Sequence, residues 1–159
     1  MAARSLPVRA SVRDLLTDLL GRPVQVRDAA MQVLDPAAPS LAASYVLDDG
    51  RPAAVAVCDL SLAGLAGAAL GMTPSDDAAA QIATGKLGGD FEEFFREVVN
   101  VIAKLFNSPS SPHVRLAEVR PVPGPLPAPV AAIVLEPGAR VDYRIDIDGY
   151  GSGTMTLVA

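Results

Sequence analysis

The chain has 159 residues, half of them apolar but only 4% aromatic, and a formal net charge of −5. One domain over residues 1–159 can bury a real core at this length, and that core has to be made of Val, Leu, Ile and Ala. The acidic balance, with no Lys/Arg cluster, argues against a nucleic-acid partner, and the most apolar run, residues 60–72, falls short of the about 20 residues that membrane insertion requires. The opening stretch MAARSLPVRASVRD has no apolar signal core, so a cytoplasmic location is expected. Cys58 is the only cysteine, which excludes an intrachain disulfide; within AAVAVC it reads as a small buried hydrophobe, with a reactive thiol as the other reading.

In chain order, SVRDLLTDLL (residues 11–20) predicts a helix with Ser11 as N-cap and Val12, Leu15, Leu16 and Leu19 on one face, closed by Gly21 ahead of Pro23. Three β-like runs follow: VQVRDA from Val24, ASYVLDD from Ala43 and AAVAVC from Ala53, the last two joined by a hairpin signal at Asp49-Gly50. LSLAGLAGAALG then reads as a helix capped by Asp59. Thr73-Pro74 restarts a helix with Thr73 as N-cap and the proline in the first helical position. Gly85, Gly88 and Gly89 interrupt the chain.

The next helix, around EEFFREVVNVIAKLF, is the most amphipathic. Asp90 is its expected N-cap, with Glu93 three residues on at capping-box spacing, and Asn107-Ser108-Pro109 ends it. At about 100° per residue, Phe91, Phe94, Phe95, Val98, Ile102 and Leu105 fall on one side, and Glu93, Glu97, Asn100 and Lys104 on the other. A core-facing helix needs a polar back, and capping and solvation account for Glu93 and Lys104. Asn100 resists that account, because Asn is a poorer mid-helix residue than Lys or Glu by a few tenths of a kcal/mol.

Beyond this helix, HVRLAEV, VAAIVLE, ARVDYRIDI and TMTLVA are expected as strands. In VDYRIDI the residues Val141, Tyr143, Ile145 and Ile147 alternate with Asp142, Arg144 and Asp146, the pattern of a half-buried strand. PVPGPLPAP forbids a central strand and predicts a stiff extended connection; such spacing also suits a peptide ligand for an aromatic groove. DIDGYGSG lacks the closing acidic ligand of a calcium loop and reads as a Gly-rich turn. The order helix, strands, helices, strands predicts an α+β fold, a mainly antiparallel sheet flanked by helices on one or both faces. The two halves rhyme, since Asp14, Asp18 and Gly21 repeat the spacing of Glu93, Glu97 and Asn100, which raises a degenerate internal duplication. His113 is the only histidine and lies in a Pro/Ser-rich loop, and no GKS or GKT phosphate loop occurs. Histidine metal sites, Ser-His triads and nucleotide hydrolysis are therefore disfavoured.

Glu97-Val98-Val99-Asn100, followed after 22 residues by Pro123, resembles the signature of the CheC/CheX/FliY family of chemotaxis phosphatases. In that family an Asp or Ser, three residues, Glu, two residues and Asn are followed by a distant Pro; the positions here are Glu93, Glu97, Asn100 and Pro123. DGRPAAVAVCDLSLAGLAGAALGMTP is similar to the family's strand, helix and "GM" stretch, and a single Glu-x-x-Asn with a degenerate first half is most like CheX. The chain departs from the pattern in having Glu93 for Asp or Ser, Lys104 one turn after Asn100, and an apparent insertion at Gly85 to Gly89.

The resemblance implies a CheC-like fold and hydrolysis of the aspartyl phosphate on a phosphorylated CheY-like response regulator. Asn100 would orient the water and Glu97 would contact the regulator's lysine. Glu93 and Lys104 would touch the partner, the Mg²⁺ would belong to the regulator, and the chain would need no cofactor of its own. It also implies a homodimer. Two other readings remain beside it: a catalytically inactive binding module for a regulator or a motor or signalling partner, and a structural homodimer with the stripe buried at a self-interface.

Overall fold

The computed structural model describes residues 4–31 and 39–159. Within them lie, in chain order, α1 (Arg9–Leu20), β1 (Val24–Asp28), β2 (Ser40–Val46), β3 (Pro52–Asp59), α2 (Leu60–Leu70), α3 (Ser75–Ala83), α4 (Gly89–Phe106), β4 (Arg115–Val122), α5 (Ala128–Leu135), β5 (Arg140–Ile147) and β6 (Gly151–Val158). The six strands form one sheet in the order β1-β5-β6-β3-β2-β4, and every neighbouring pair is antiparallel. The fold is α+β, as the element order predicts.

The topology carries the internal symmetry that the sequence only hinted at. Exchanging β1 with β4, β2 with β5 and β3 with β6 reproduces the same strand order read from the other edge. α1 precedes edge strand β1 as α4 precedes edge strand β4.

Helices α1, α2 and α4 bury their apolar faces on one side of the sheet, against Tyr45, Ala56, Cys58, Ile145, Met155 and Leu157. The other face holds a smaller cluster in which Val130 and Val134 of α5, four residues apart and so on one helical face, pack on Ala42, Val55, Val57 and Val158. This α5 replaces the strand expected from VAAIVLE. A short apolar run has no period that separates a buried strand from a buried helix, and the flanking prolines decide it. Pro127 is the N-cap and Pro129 sits in the first turn, where its missing N–H costs nothing.

Several boundaries differ from the sequence reading. α1 starts at Arg9, not Ser11, with Val8 at the N-cap and no side-chain cap; the Tyr143 hydroxyl donates to Pro7 O at 2.8 Å and fixes the chain's entry there. α3 is capped by Pro74, whose carbonyl accepts from Asp77 N–H, and not by Thr73. α4 opens on Gly89, which takes φ +54°, a left-handed conformation that glycine adopts without a Cβ penalty. Gly88 is the N-cap and its N–H is bonded to Gln81 Oε1 at 2.8 Å, so the capping box of Asp90 and Glu93 does not form. PVPGPLPAP lies where proline is tolerated, its first residues ending edge strand β4 and its last leading into α5. On β5 the alternation is incomplete: Asp142 is buried, held by the Arg140 guanidinium at 3.0 Å and by the Thr156 hydroxyl at 2.6 Å. Asp59 caps α2 as expected, accepting from Leu62 N–H at 2.8 Å, and its second oxygen ties the junction to Thr154 of β6.

The glycines of α2 have a packing cause. Each costs about 1 kcal/mol relative to Ala in a helix. A Cβ at Gly67 would stand 3.0 Å from Phe91 O and 3.3 Å from Phe95 N, backbone atoms of α4, and one at Gly71, the C-cap just beyond α2, would stand 2.3 Å from the Phe94 ring. Nine residues of α2 are buried, so the helix is covered by neighbours that its small side chains let in. No helix among the described residues is long and apolar enough to cross a membrane.

Gly67→Ala tests this contact by its sign. On a free helix surface the change stabilises; here the forced separation of α2 and α4 is expected to destabilise by about 1–3 kcal/mol, read as a lowered urea midpoint.

Candidate functional site

α4 is held from beneath at several points. Phe95, Val98, Val99, Ile102, Ala103 and Phe106 are buried, while Phe91, Phe94 and Leu105 are half-buried. The inner face is therefore turned from the one read on the helical wheel, and its central rings are Phe95 and Phe106. Tyr45 of β2, fully buried, packs its ring 5.0 Å from Phe106 and donates its hydroxyl to Val99 O at 2.7 Å. Burial pushes that phenol's pKa well above its ordinary value, so it stays a donor. At the C-terminal end the Asn107 side chain makes a paired bond with Val114, accepting from its N–H at 2.8 Å and donating to its carbonyl at 3.0 Å. Arg4 donates to Phe106 O at 2.9 Å and places a positive charge on the negative end of the helix dipole.

The opposite face is free. Glu93, Glu97, Asn100 and Lys104 are all exposed. Helical geometry gathers them within an arc of about 60°, with Glu97 and Asn100 ~4.5 Å apart along the axis. Among the described residues no ion pair involves Glu97 or Lys104, and no hydrogen bond occupies the Asn100 amide. Glu97 pairs with neither Lys104 nor Arg96 among the described residues. Lys104 lies in the last turn and Asp90 and Glu92 in the first, each where the dipole favours its sign. The four stripe residues are thus together, solvated and unspent.

Pro123 is not among them. It is exposed beyond β4 and lines, with Glu92 and Lys86, a groove of about 320 Å³ at the other flank of α4, a groove that none of the four stripe residues lines. The rhyming positions on α1 also come apart. Asp14 and Asp18 are exposed, but Gly21 is already the left-handed C-cap, φ 68°, so no side chain stands where Asn100 stands on α4. Cys58 is buried and its thiol is pushed up in pKa by burial, so the buried-hydrophobe reading holds. Among the described residues no group of His, Cys, Asp and Glu is arranged to hold a metal ion.

The anchors Tyr45, Asn107 and Arg4 escape a reading of the sequence. Asn107 is visible there only as part of a helix stop, and Tyr45 as one more β-strand aromatic. The glycine spacing of α2 is the one signal of close approach that the sequence offers.

No protein-family model matches the sequence, and no curated protein sequence does. Solved structures do match in shape. The FliM middle domain of Vibrio alginolyticus superposes with a TM-score of 0.60 at 12% identity, over 95% of this chain and 87% of that one. FliY of Thermotoga maritima gives 0.56 at 13%, over 96% and 83%. FliM of H. pylori, solved in complex with SpeE, gives 0.58 at 10%, over 94% and 80%. At such identities the likeness shows the fold, and the fold is the CheC-like one of the FliM middle domain and FliY.

The two faces of α4 predict a sharp contrast in stability. Tyr45→Phe leaves Val99 O without its buried donor and is expected to cost about 1–2 kcal/mol. Glu97→Ala and Asn100→Ala are expected to stay within about 0.5 kcal/mol of the parent. Chemical denaturation of the three variants measures both.

Proposed function

We propose that the outer face of α4 docks a phosphorylated CheY-type receiver domain and promotes hydrolysis of its aspartyl phosphate. In this reading Asn100 orients the attacking water and Glu97 engages the receiver's lysine, with Glu93 and Lys104 at the edges of the contact. The observation that carries it is the pair Glu97 and Asn100, one turn apart, exposed and without partners on a helix clamped from below. The family motif and the CheC-like fold add support.

The chemistry asks little of this chain. An acyl phosphate is an activated mixed anhydride: water attacks phosphorus, the bond to the aspartyl oxygen breaks, and inorganic phosphate and a free carboxylate result. The receiver brings its own Mg²⁺, and no covalent intermediate on this protein is needed. The contribution required is position, because a water held in line with the breaking bond converts an encounter into an oriented reaction. A carboxamide can do this, since its oxygen accepts from the water and its NH₂ donates to a phosphoryl oxygen, with no net charge to repel the anion. A carboxylate one turn away suits a cationic lysine. The likeness to CheX in particular rests on the single Glu-x-x-Asn and the absence of a second one on α1.

A second reading is a binding module without catalysis. Lys104 favours it, since a long cationic side chain one turn beyond Asn100 can take the phosphoryl charge for itself. The H. pylori FliM solved with SpeE is a neighbour of the same fold that assembles with another protein.

The test is phosphate release from a receiver phosphorylated with a small-molecule donor, together with binding measured by titration. The parent is expected to accelerate release, Asn100→Ala to lose about 100-fold or more of that acceleration while still binding, and Glu97→Lys to weaken binding by about 10-fold or more. Binding that survives Asn100→Ala, with no acceleration by the parent, selects the module. No binding and no acceleration with any CheY-type receiver overturns both.

A further inference from the structure

Away from the stripe, at the C-terminal end of α4, a cleft of about 690 Å³ opens between the segment ahead of α1, the β2–β3 hairpin and the loop that follows α4. That volume falls in the range of small-molecule sites. Its lining is lopsided in charge. The chain has 18 acidic residues against 13 basic ones, yet no Asp or Glu side chain lines this cleft, while Arg4 and Arg51 both do. Beside them stand the hydroxyls of Ser108, Ser110 and Ser111, drawn together by mutual bonds of 3.0 and 3.2 Å. The remaining wall is apolar, with Leu6, Leu47 and Leu105 among its members.

Neither guanidinium is fully used. Arg4 donates to Phe106 O, Ser111 Oγ and Pro112 O, all neutral acceptors; among the described residues no Asp or Glu side chain pairs with it, and further N–H groups remain. Partial burial moves its pKa down, the sign of a cation short of solvation. Arg51, which also lines the cleft, is ion-paired through its Nε with Asp49 Oδ2 at 2.7 Å, and among the described residues no hydrogen bond occupies its two terminal nitrogens. Cations and hydroxyls without side-chain acids repel a cationic ligand, and a bare inorganic anion would leave the leucine wall wet.

We propose that this cleft binds a small amphipathic anion, with a carboxylate-type head against Arg4, Arg51 and the serine hydroxyls and an apolar body against Leu6, Leu47 and Leu105. The site is separate from the outer face of α4, and its occupancy does not depend on the function proposed there.

The test uses the full chain and the fluorescent anion 8-anilinonaphthalene-1-sulfonate, with n-decanoate and 1-decanol as competitors. The two competitors share an apolar body and differ in the head. One saturable site is expected, with decanoate displacing the probe at about 10-fold lower concentration than decanol, the worth of one charge-assisted bond. Arg4→Gln and Arg51→Gln are each expected to weaken the probe by about 10-fold. Arg144→Gln, on the exposed sheet surface, leaves it unchanged. Because Arg4 also holds the end of α4, its variant is checked by thermal melt; Arg51 lies in the hairpin turn and serves where Arg4→Gln unfolds. Non-saturable binding, equal displacement by decanol, or undiminished affinity in a folded Arg51→Gln protein overturns the proposal.

Discussion

Two helices in this protein approach to backbone distance, and the placement of α4 follows from that. Gly67 lets Phe91 O and Phe95 N of α4 come where a Cβ would meet them at 3.0 and 3.3 Å, and Gly71 makes room for the Phe94 ring. Every glycine in α2 lowers its intrinsic helicity, and the loss is offset because α2 is enclosed: α4 and α3 lie against it, and the sheet lies beneath. Close approach draws the inner residues of α4 into the core. Phe95, Val98 and Ile102 disappear from solvent, and burial of such side chains contributes about 1.5–3 kcal/mol each. A helix so deeply seated on one side presents its other side with little freedom to roll. The Tyr45 hydroxyl grips Val99 O, one residue before Asn100 in the chain, so the peptide that carries the amide is fixed from the sheet.

The pseudo-symmetric sheet makes the two halves of the chain natural controls for each other. α1 and α4 stand in equivalent places before equivalent edge strands, yet α1 runs 12 residues and α4 runs 18. The difference arises at the C-terminal end. At the end of α1, Gly21 turns left-handed and closes the helix, with its N–H on Thr17 O. At the matching place on α4, Asn100 continues the helix, and the chain runs on to Asn107, whose amide then ties it to Val114. One half therefore has a polar stripe with a carboxamide in it, and the other has two aspartates and a bare turn. The asymmetry confines the proposed chemistry to α4 without reference to any relative.

Much of this was legible in the sequence where period and caps agree. The strand at VDYRIDI, the Asp49-Gly50 hairpin, Asp59 ahead of an apolar run, and the separation of phenylalanines from Glu97 and Asn100 all follow from geometry that one residue imposes on its neighbours. What failed depends on partners distant in the chain. VAAIVLE has no period to read, and only the second face of the sheet, waiting to be covered, explains why it coils. The capping box at Asp90 was overridden by Gly88 and Gly89, because Gln81 of the preceding helix satisfies the Gly88 N–H. Asp142 looked solvated by alternation and is instead buried with Arg140 and Thr156. The stripe was legible because an exposed face needs no partner to define it; Pro123, which the motif grouped with it, falls beside a different groove.

What the outer face of α4 can act on is limited by what surrounds it. The two clefts described, one at each end of α4, are lined by neither Glu97 nor Asn100. A small phosphate ester resting on this ridge would have no walls to hold it, only exposed cations such as Lys104 and Arg96 to bind it, and water on every side. Electrostatic help is worth little there, because exposed charges are screened by solvent. The same two side chains become effective only when a second surface closes over them, excludes water and supplies the remaining charges. A substrate that brings its own cavity is a folded protein, and an Asn on such a ridge costs a few tenths of a kcal/mol in helix propensity whether or not that protein is present. The ridge therefore makes chemical sense as one half of a site whose other half arrives with the substrate.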